Sequence, residues 1–259
     1  MDEGDPMAEF KSWRSFWEFE HAVKRQMRYV RTTDTEAFLE AVGQTAGRRI
    51  EVLPVGTTLW RAQLGVNWRP DYDKDGDLVG ETPWPHDKDR MKPLRDCATE
   101  GRANSKGIPC LYLATDRDTA IAEVRPWIGS YVSVGLFRTD RELRVVKCVT
   151  DYGLRRYWIK GEPDATEREE AVWAFIDAAF AHPVTPIDNV ADYAPTQIIA
   201  ELFKAHGYDG IAYRSSVSKT GHNVALFDLD ASEVVEGQPF EVKTVELQSR
   251  AMENPAQYR

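Results

Sequence analysis

Apolar and polar residues are distributed differently in successive parts of the chain, and each distribution predicts a different kind of element. Segments 13–30 and 32–47 are rich in aromatic residues and helix formers, and Gly47 provides a helix stop. Segment 50–64 instead has the β-branched, apolar character of strands. The first fifty residues are therefore predicted to be helical, and a sheet is predicted to begin after them.

Further apolar runs predict strands and helices that do not alternate strictly. The predicted strands lie in 109–115, 130–137, 143–149, 210–216 and 223–229, and the predicted helices in 116–128, 166–183 and 195–210. This order favours a mixed α+β domain over a doubly wound parallel sheet. Residues 66–95 combine Pro, Gly, Asp and Trp without periodicity and are predicted to form a loop.

At 259 residues the chain can hold one large domain with a helical appendage. We predict a helical N-terminal extension over 1–49, a main domain over 50–232 and a polar C-terminal tail over 233–259. The tail is predicted from its richness in Glu and Gln.

The formal net charge of -9 argues against broad binding to nucleic acid or to an anionic membrane surface. No apolar run approaches the roughly 20 residues of a membrane span, and the start MDEGDPMAEF lacks the basic and apolar regions of a signal peptide. Three scattered cysteines do not form a disulfide framework. The cytoplasm is the predicted location.

The sequence motifs for metal binding, nucleotide binding and hydrolysis are either incomplete or absent. The stretch DYDKDGDLVGET, from Asp71, begins like a calcium loop but has Thr82 where the bidentate Glu is required, which favours an acidic, solvated loop. The five histidines show no metal-binding spacing, and GxGxxG, P-loop and GxSxG patterns are absent. We therefore predict no metal site.

In four places polar residues stand beside predicted core. These residues are Arg61 after a strand, Arg102 and Asn104 before the strand that carries Tyr112, Glu123 within a helix, and Ser215, Ser216 and Asn223 around the last predicted turn. Each has an ordinary structural explanation: a salt bridge, a core phenol with a bonded hydroxyl, or turn chemistry.

Together these residue types suit a different task. A guanidinium can hold phosphate oxygens, and a phenol ring can stack on a base. A carboxylate can stabilise an oxocarbenium-like centre or bind a ribose hydroxyl, which a serine can help to orient. The set is compatible with cleavage of an N-glycosidic bond in a dinucleotide such as NAD.

The wording of three blocks resembles a known family. The blocks are LWRA, GRANSKGIPCLYLATDRDTAIAEVR and GYDGIAYRSSVSKTGHNVALFD, and they are similar to the RES domain, which is named for its Arg, Glu and Ser. The resemblance covers roughly residues 50–230 and would make 50–232 the RES catalytic domain. By position, Arg61, Glu123 and Ser215 are the signature residues, with Ser216 a less favoured candidate.

The resemblance implies an ADP-ribosyltransferase-like fold and an NAD-consuming toxin of a bacterial toxin–antitoxin pair. It implies catalytic roles for Arg61, Tyr112, Glu123 and Ser215, with Arg61, Arg102, Asn104, Ser216 and Asn223 binding the dinucleotide. NAD is then the substrate, with water or phosphate as acceptor and no other cofactor. ADP-ribosyl transfer to a protein and non-catalytic nucleotide binding are the alternatives.

The chain departs from compact members of that family in its N-terminal extension and in the insertion 66–95. These segments leave open whether a cognate antitoxin binds, whether the chain forms a homodimer, and whether the extension covers the cleft.

Overall fold

The fold is described from a computed structural model, over residues 9–150, 161–182, 190–246 and 249. Within these ranges, ten strands and five α-helices confirm the predicted mixed α+β class. The strands are β1 (Ile50–Leu53), β2 (Thr58–Leu64), β3 (Asn67–Tyr72), β4 (Leu78–Trp84), β5 (Leu111–Ala114), β6 (Tyr131–Thr139), β7 (Leu143–Lys147), β8 (Gly210–Arg214), β9 (His222–Leu226) and β10 (Ser232–Glu241).

Eight strands form one sheet in the order β1-β7-β8-β9-β5-β2-β6-β10. Only β7 and β8 pair in parallel within the described sheet, and the remaining neighbours are antiparallel. The central contact is short, because β2 and β5 pair at a single position, Trp60 with Ala114. The sheet therefore has two well-paired halves that meet at one point.

The first, second, fourth and fifth α-helices of the described residues gather on one face of the larger half, whereas the short third helix packs mainly against β2 and β6. They are α1 (Ser15–Arg25), α2 (Thr33–Ala46), α3 (Arg117–Glu123), α4 (Ala165–Ala181) and α5 (Ala194–Ala205). Aromatic residues of α1 and α2, including Phe19 and Phe38, share one buried cluster with Trp173 of α4 and Phe203 of α5. The predicted N-terminal extension is thus helical as expected, and its apolar residues belong to the core of the domain. No helix in the described ranges is long and apolar enough to cross a membrane.

Residues 66–95 are not the loop that we predicted, because β3 and β4 pair there as a two-stranded ribbon. The acidic stretch inside it forms the hairpin turn. Asp73 Oδ1 accepts the backbone N–H groups of Asp75 (2.9 Å) and Asp77 (3.0 Å), and Gly76 has φ 88°. The calcium-loop likeness is therefore explained by turn chemistry. The strands escaped prediction because nearly all their residues are exposed, so no inward apolar pattern is required.

The segment predicted as a polar tail begins with a strand. β10 pairs with β6 along its whole length, with a bulge between Val234 and Glu236. It lies at the edge of the sheet, where many side chains face solvent, and this accounts for its polar composition. Phe240 still packs against the cluster formed by β2 and β6 residues. The main domain therefore extends beyond residue 232.

The shared aromatic cluster predicts that the N-terminal helices contribute directly to the stability of the domain. Phe38 of α2 is 6% exposed and stacks on Phe19 of α1, with ring centroids 4.5 Å apart. Phe38→Ala should lower the free energy of unfolding by about 3–5 kcal/mol, because it leaves a cavity in the core. Tyr29→Ala, at a residue 93% exposed, should change it by less than about 0.5 kcal/mol. Urea denaturation measures both, and equal stabilities would contradict the shared core.

Candidate functional site

A cavity of about 260 Å³ opens where β2 and β5 separate. Beyond Trp60 and Ala114 the two strands make no further pairs, so side chains from both strand ends reach the space between them. Strands β2, β5, β8 and β9 and helix α3 supply its walls. The lining residues are Trp60, Arg61, Ala62, Tyr112, Leu113, Ala114, Ala120, Glu123, Val124, Tyr213 and Asn223.

Arg61 projects from β2 into this cavity, and the protein does little to compensate its positive charge. Its Nη1 donates a 3.3 Å hydrogen bond to the backbone carbonyl of Tyr112, whereas its buried Nε has no hydrogen-bond partner. No carboxylate in the described parts of the chain forms an ion pair with it. Burial lowers the pKa of the Arg61 guanidinium. A buried, unpaired cation is costly, so an anionic group in the cavity would be favoured.

Tyr112 forms a wall of the cavity with its ring, while its hydroxyl is used elsewhere. The hydroxyl donates to Asn104 Oδ1 (2.7 Å) and accepts from the backbone N–H of Ala103 (2.9 Å). Burial raises the pKa of Tyr112 well above its usual value, so the phenol is neutral. Asn104 is buried too, and its Nδ2 donates to the carbonyls of Thr99, Ser105 and Ile108. The predicted Asn104 thus shapes the loop before β5 and is not among the cavity residues.

Glu123, the last residue of α3, is held through one carboxylate oxygen. Its Oε1 accepts from Ser215 Oγ (2.7 Å) and from Asn223 Nδ2 (2.6 Å). Its Oε2 accepts no hydrogen bond from the described residues, and the side chain is solvent-accessible. Two donors from the β8–β9 region therefore fix the carboxylate and leave one oxygen available to a ligand.

Ser215 is fully engaged with protein groups. Its Oγ donates to Glu123 and accepts from the backbone N–H groups of Val217 (3.2 Å) and Ser218 (3.1 Å). A hydroxyl has one donor and two acceptor positions, so all are occupied. Ser215 therefore positions Glu123 and the following loop. Contact with a ribose, which the resemblance implies, would require exchanging one of these bonds.

Helix α3 brings Glu123 to the cavity, and its first turn is fixed by a cap and by a contact with the loop after β8. Asp116 caps its start by accepting from the backbone N–H of Thr119 (2.7 Å). Thr119 Oγ1 also bonds Ser218 Oγ (2.7 Å) in the loop after β8. The helix was expected to continue to Pro126, but it ends at Glu123, and Arg125 has a φ of 46°. The residue before a proline disfavours helical geometry, which explains the early end.

Two aromatic cavity residues were not singled out from the sequence, Trp60 and Tyr213. Tyr213 pairs with Asn223 in the β8–β9 register, so both side chains stand on the same face of the sheet. Burial and the nearby Glu123 carboxylate raise the pKa of Tyr213, so it too is neutral. Each could be taken for ordinary core in the sequence. The sequence signal that could have identified Tyr213 was its position two residues before the predicted site residue Ser215.

Two further predicted binding residues, besides Asn104, lie outside the cavity walls. Arg102 is buried below Tyr193, with its guanidinium 4.7 Å from the ring centroid and Nη1 3.4 Å from the carbonyl of Asp192. Ser216 is exposed in the loop after β8. Arg61, Tyr112, Glu123 and Asn223 do share the cavity, with Ser215 directly behind Glu123. Among described residues, no group of three or more His, Cys, Asp or Glu could hold a metal ion.

Comparison with models of protein families identifies the family of the chain. The model of the RES domain matches residues 58–246, well over half of the chain, and the chain therefore belongs to the RES domain family. A solved structure, titled the crystal structure of the M. tuberculosis MbcT-MbcA toxin-antitoxin complex, is similar at 12% identity with a TM-score of 0.40. That match covers 77% of this chain and 92% of the other. No curated protein matches the chain.

The Gly-Arg-x-Asn motif gives a prediction about the Tyr112 wall. A Cβ on Gly101 would lie 2.5 Å from the Tyr112 hydroxyl and 2.9 Å from Asn104 Oδ1. Gly101→Ala should therefore displace the phenol and lower the free energy of unfolding by about 1–3 kcal/mol. Gly80→Ala is the control, because a Cβ there meets nothing within 4 Å. Chemical denaturation compares the two variants, and equal midpoints would show that the close approach is unimportant.

Proposed function

We propose that the chain is a toxin-like enzyme that consumes NAD by cleaving the bond between nicotinamide and ribose. The observation that carries the proposal is the Glu123 carboxylate, fixed through Oε1 and free at Oε2, in the same cavity as an uncompensated Arg61. Membership of the RES family supports the same reaction. Water or inorganic phosphate is the proposed acceptor, and no further cofactor is needed.

The proposed reaction requires little covalent chemistry from the protein. The C1′–N bond breaks heterolytically, and its electron pair neutralises the pyridinium, so nicotinamide leaves uncharged. Positive charge develops at C1′, where Glu123 Oε2 would stabilise it. Attack by water at C1′ then gives ADP-ribose and releases a proton, whereas attack by phosphate gives the phosphorylated sugar. Ser215 and Asn223 contribute by fixing the carboxylate before reaction.

The size and walls of the cavity suit one end of such a substrate. About 260 Å³ is below the roughly 300–1,000 Å³ of pockets that enclose a whole drug-sized ligand. The rings of Trp60, Tyr112 and Tyr213 provide flat apolar surfaces for nicotinamide. Arg61 would then hold a pyrophosphate oxygen at the exit, and that contact would compensate its buried charge. The adenosine part would extend outside the cavity.

A role for Arg102 in holding the pyrophosphate stays part of this proposal, although its side chain does not line the cavity. Its Nε and Nη2 are buried without hydrogen-bond partners, so its charge is also incompletely compensated. Family membership further supports a cognate antitoxin as a partner of the chain.

Replacing the carboxylate tests the reaction directly. Glu123→Gln keeps the side-chain size and an oxygen that can accept from Ser215 and Asn223, but it removes the negative charge. We expect nicotinamide release to fall about a hundredfold or more while NAD still binds. Asp118→Asn, which neutralises an exposed carboxylate on the same helix, should retain the parental rate. A folded Glu123→Gln protein that consumes NAD at the parental rate would refute the assigned role.

The products of the parental protein separate the alternatives. Incubation with labelled NAD, with and without phosphate, should give nicotinamide together with ADP-ribose or its phosphorylated form. Label retained on a protein band would instead indicate ADP-ribosyl transfer. Saturable binding without nicotinamide release over hours would indicate a nucleotide-binding module.

In cells, expression of the parental protein should arrest growth, and the Arg61→Ala substitution should relieve that arrest.

A further inference from the structure

One buried acidic residue is not used by the proposed reaction. Asp177 lies on α4, and its side chain is fully buried. Its nearest cation, Arg214, is itself 43% exposed at the side chain. A buried carboxylate costs free energy relative to an apolar residue of the same size, so its presence calls for a specific structural role.

The contacts of Asp177 are directed at backbone rather than at a side-chain network. Its Oδ1 accepts the backbone N–H of Arg214 at 3.0 Å. Its Oδ2 lies 3.0 Å from Arg214 Nη2, but this ion pair lacks hydrogen-bond geometry, so the backbone contact defines the position. A backbone hydrogen bond from Thr150, which follows β7, reaches the same carboxylate. Asp177 thus ties α4 to the carboxyl ends of the two parallel strands.

The end of β8 is also where the holders of Glu123 are placed. Ser215 follows Arg214 directly and donates to Glu123 Oε1. The register pairs Arg214 with His222 and Tyr213 with Asn223, the second donor to Glu123. The peptide N–H held by Asp177 therefore fixes the start of the 215–221 loop, one residue before Ser215.

We infer that Asp177 is a positioning residue, whose backbone hydrogen bond to Arg214 places Ser215 so that Ser215 can orient the Glu123 carboxylate. Asp177 is not among the residues that line the cavity. Its effect on catalysis, which rests on the proposed function, passes through Ser215. Its effect on the loop is independent of turnover.

The conservative and truncating variants should therefore differ. Asp177→Asn keeps an oxygen for the Arg214 N–H, and we expect kcat within about threefold of the parent. Asp177→Ala removes that acceptor and should lower kcat about tenfold with KM within about twofold. Both variants lose the ion pair, so an effect on stability alone would lower them together. Asp177→Leu, similar in volume and apolar, takes the place of the alanine variant if that protein does not fold.

A double-variant cycle tests the route through Ser215. In the Ser215→Ala background, adding Asp177→Ala should change kcat less than about twofold, because the contact through which Asp177 acts is already gone. Multiplicative losses in the double variant, or equal losses for Asp177→Asn and Asp177→Ala, would overturn the inference.

Amide hydrogen exchange gives a measurement that needs no turnover. The N–H groups of Val217 and Ser218 donate to Ser215 Oγ, so their exchange reports whether Ser215 is in place. Asp177→Ala should accelerate exchange at both amides, whereas Asp177→Asn should not. Unchanged exchange in Asp177→Ala would overturn the inference. Absence of nicotinamide release from the parental protein would refute the proposed function and leave this measurement intact.

Discussion

The candidate site depends on the brief pairing of β2 with β5. These strands meet only at Trp60 and Ala114, so the middle of an otherwise well-paired sheet opens into a cavity. Where β2 and β5 do not pair, backbone groups are available for other hydrogen bonds. The carbonyl of Tyr112 accepts one of these from the guanidinium of Arg61. Because the walls are strands with buried neighbours on both sides, the cavity is built into the core and not into surface loops.

Two carboxylates near the end of β8 have opposite roles. Glu123 faces the cavity and keeps one oxygen unbonded, whereas Asp177 is fully buried and directs its oxygens at backbone and at Arg214. Burial raises the pKa of Asp177, opposed by the hydrogen bonds from the Arg214 and Thr150 backbones. The Glu123 carboxylate, which has one oxygen available to a ligand, is thus supported by the Asp177 carboxylate, whose contacts are with protein groups.

The sequence predicted the helices and strands of the main domain well, because each has its own composition and stop signals. It singled out the cavity residues Arg61, Tyr112, Glu123 and Asn223 as polar groups beside predicted core, and the family resemblance then implied a role for each. The hydrogen bond between Ser215 and Glu123 joins residues 92 positions apart, and no local pattern records such a contact. The side-chain directions of Arg102 and Asn104 also follow from loop packing, which a motif does not specify. The β3–β4 ribbon was missed because it buries almost nothing.

The two additions to the compact domain are attached in different ways. The β3–β4 ribbon is exposed on both faces, and its acidic turn is organised by its own Asp73. The N-terminal helices instead complete the main core: Arg49, which follows α2, pairs with Glu170 and lies over the ring of Trp173, both on α4. Since α4 also carries Asp177, the same helix joins the N-terminal helices to the end of β8. The extension is therefore part of the folding unit that supports the site, whereas the ribbon is peripheral to it.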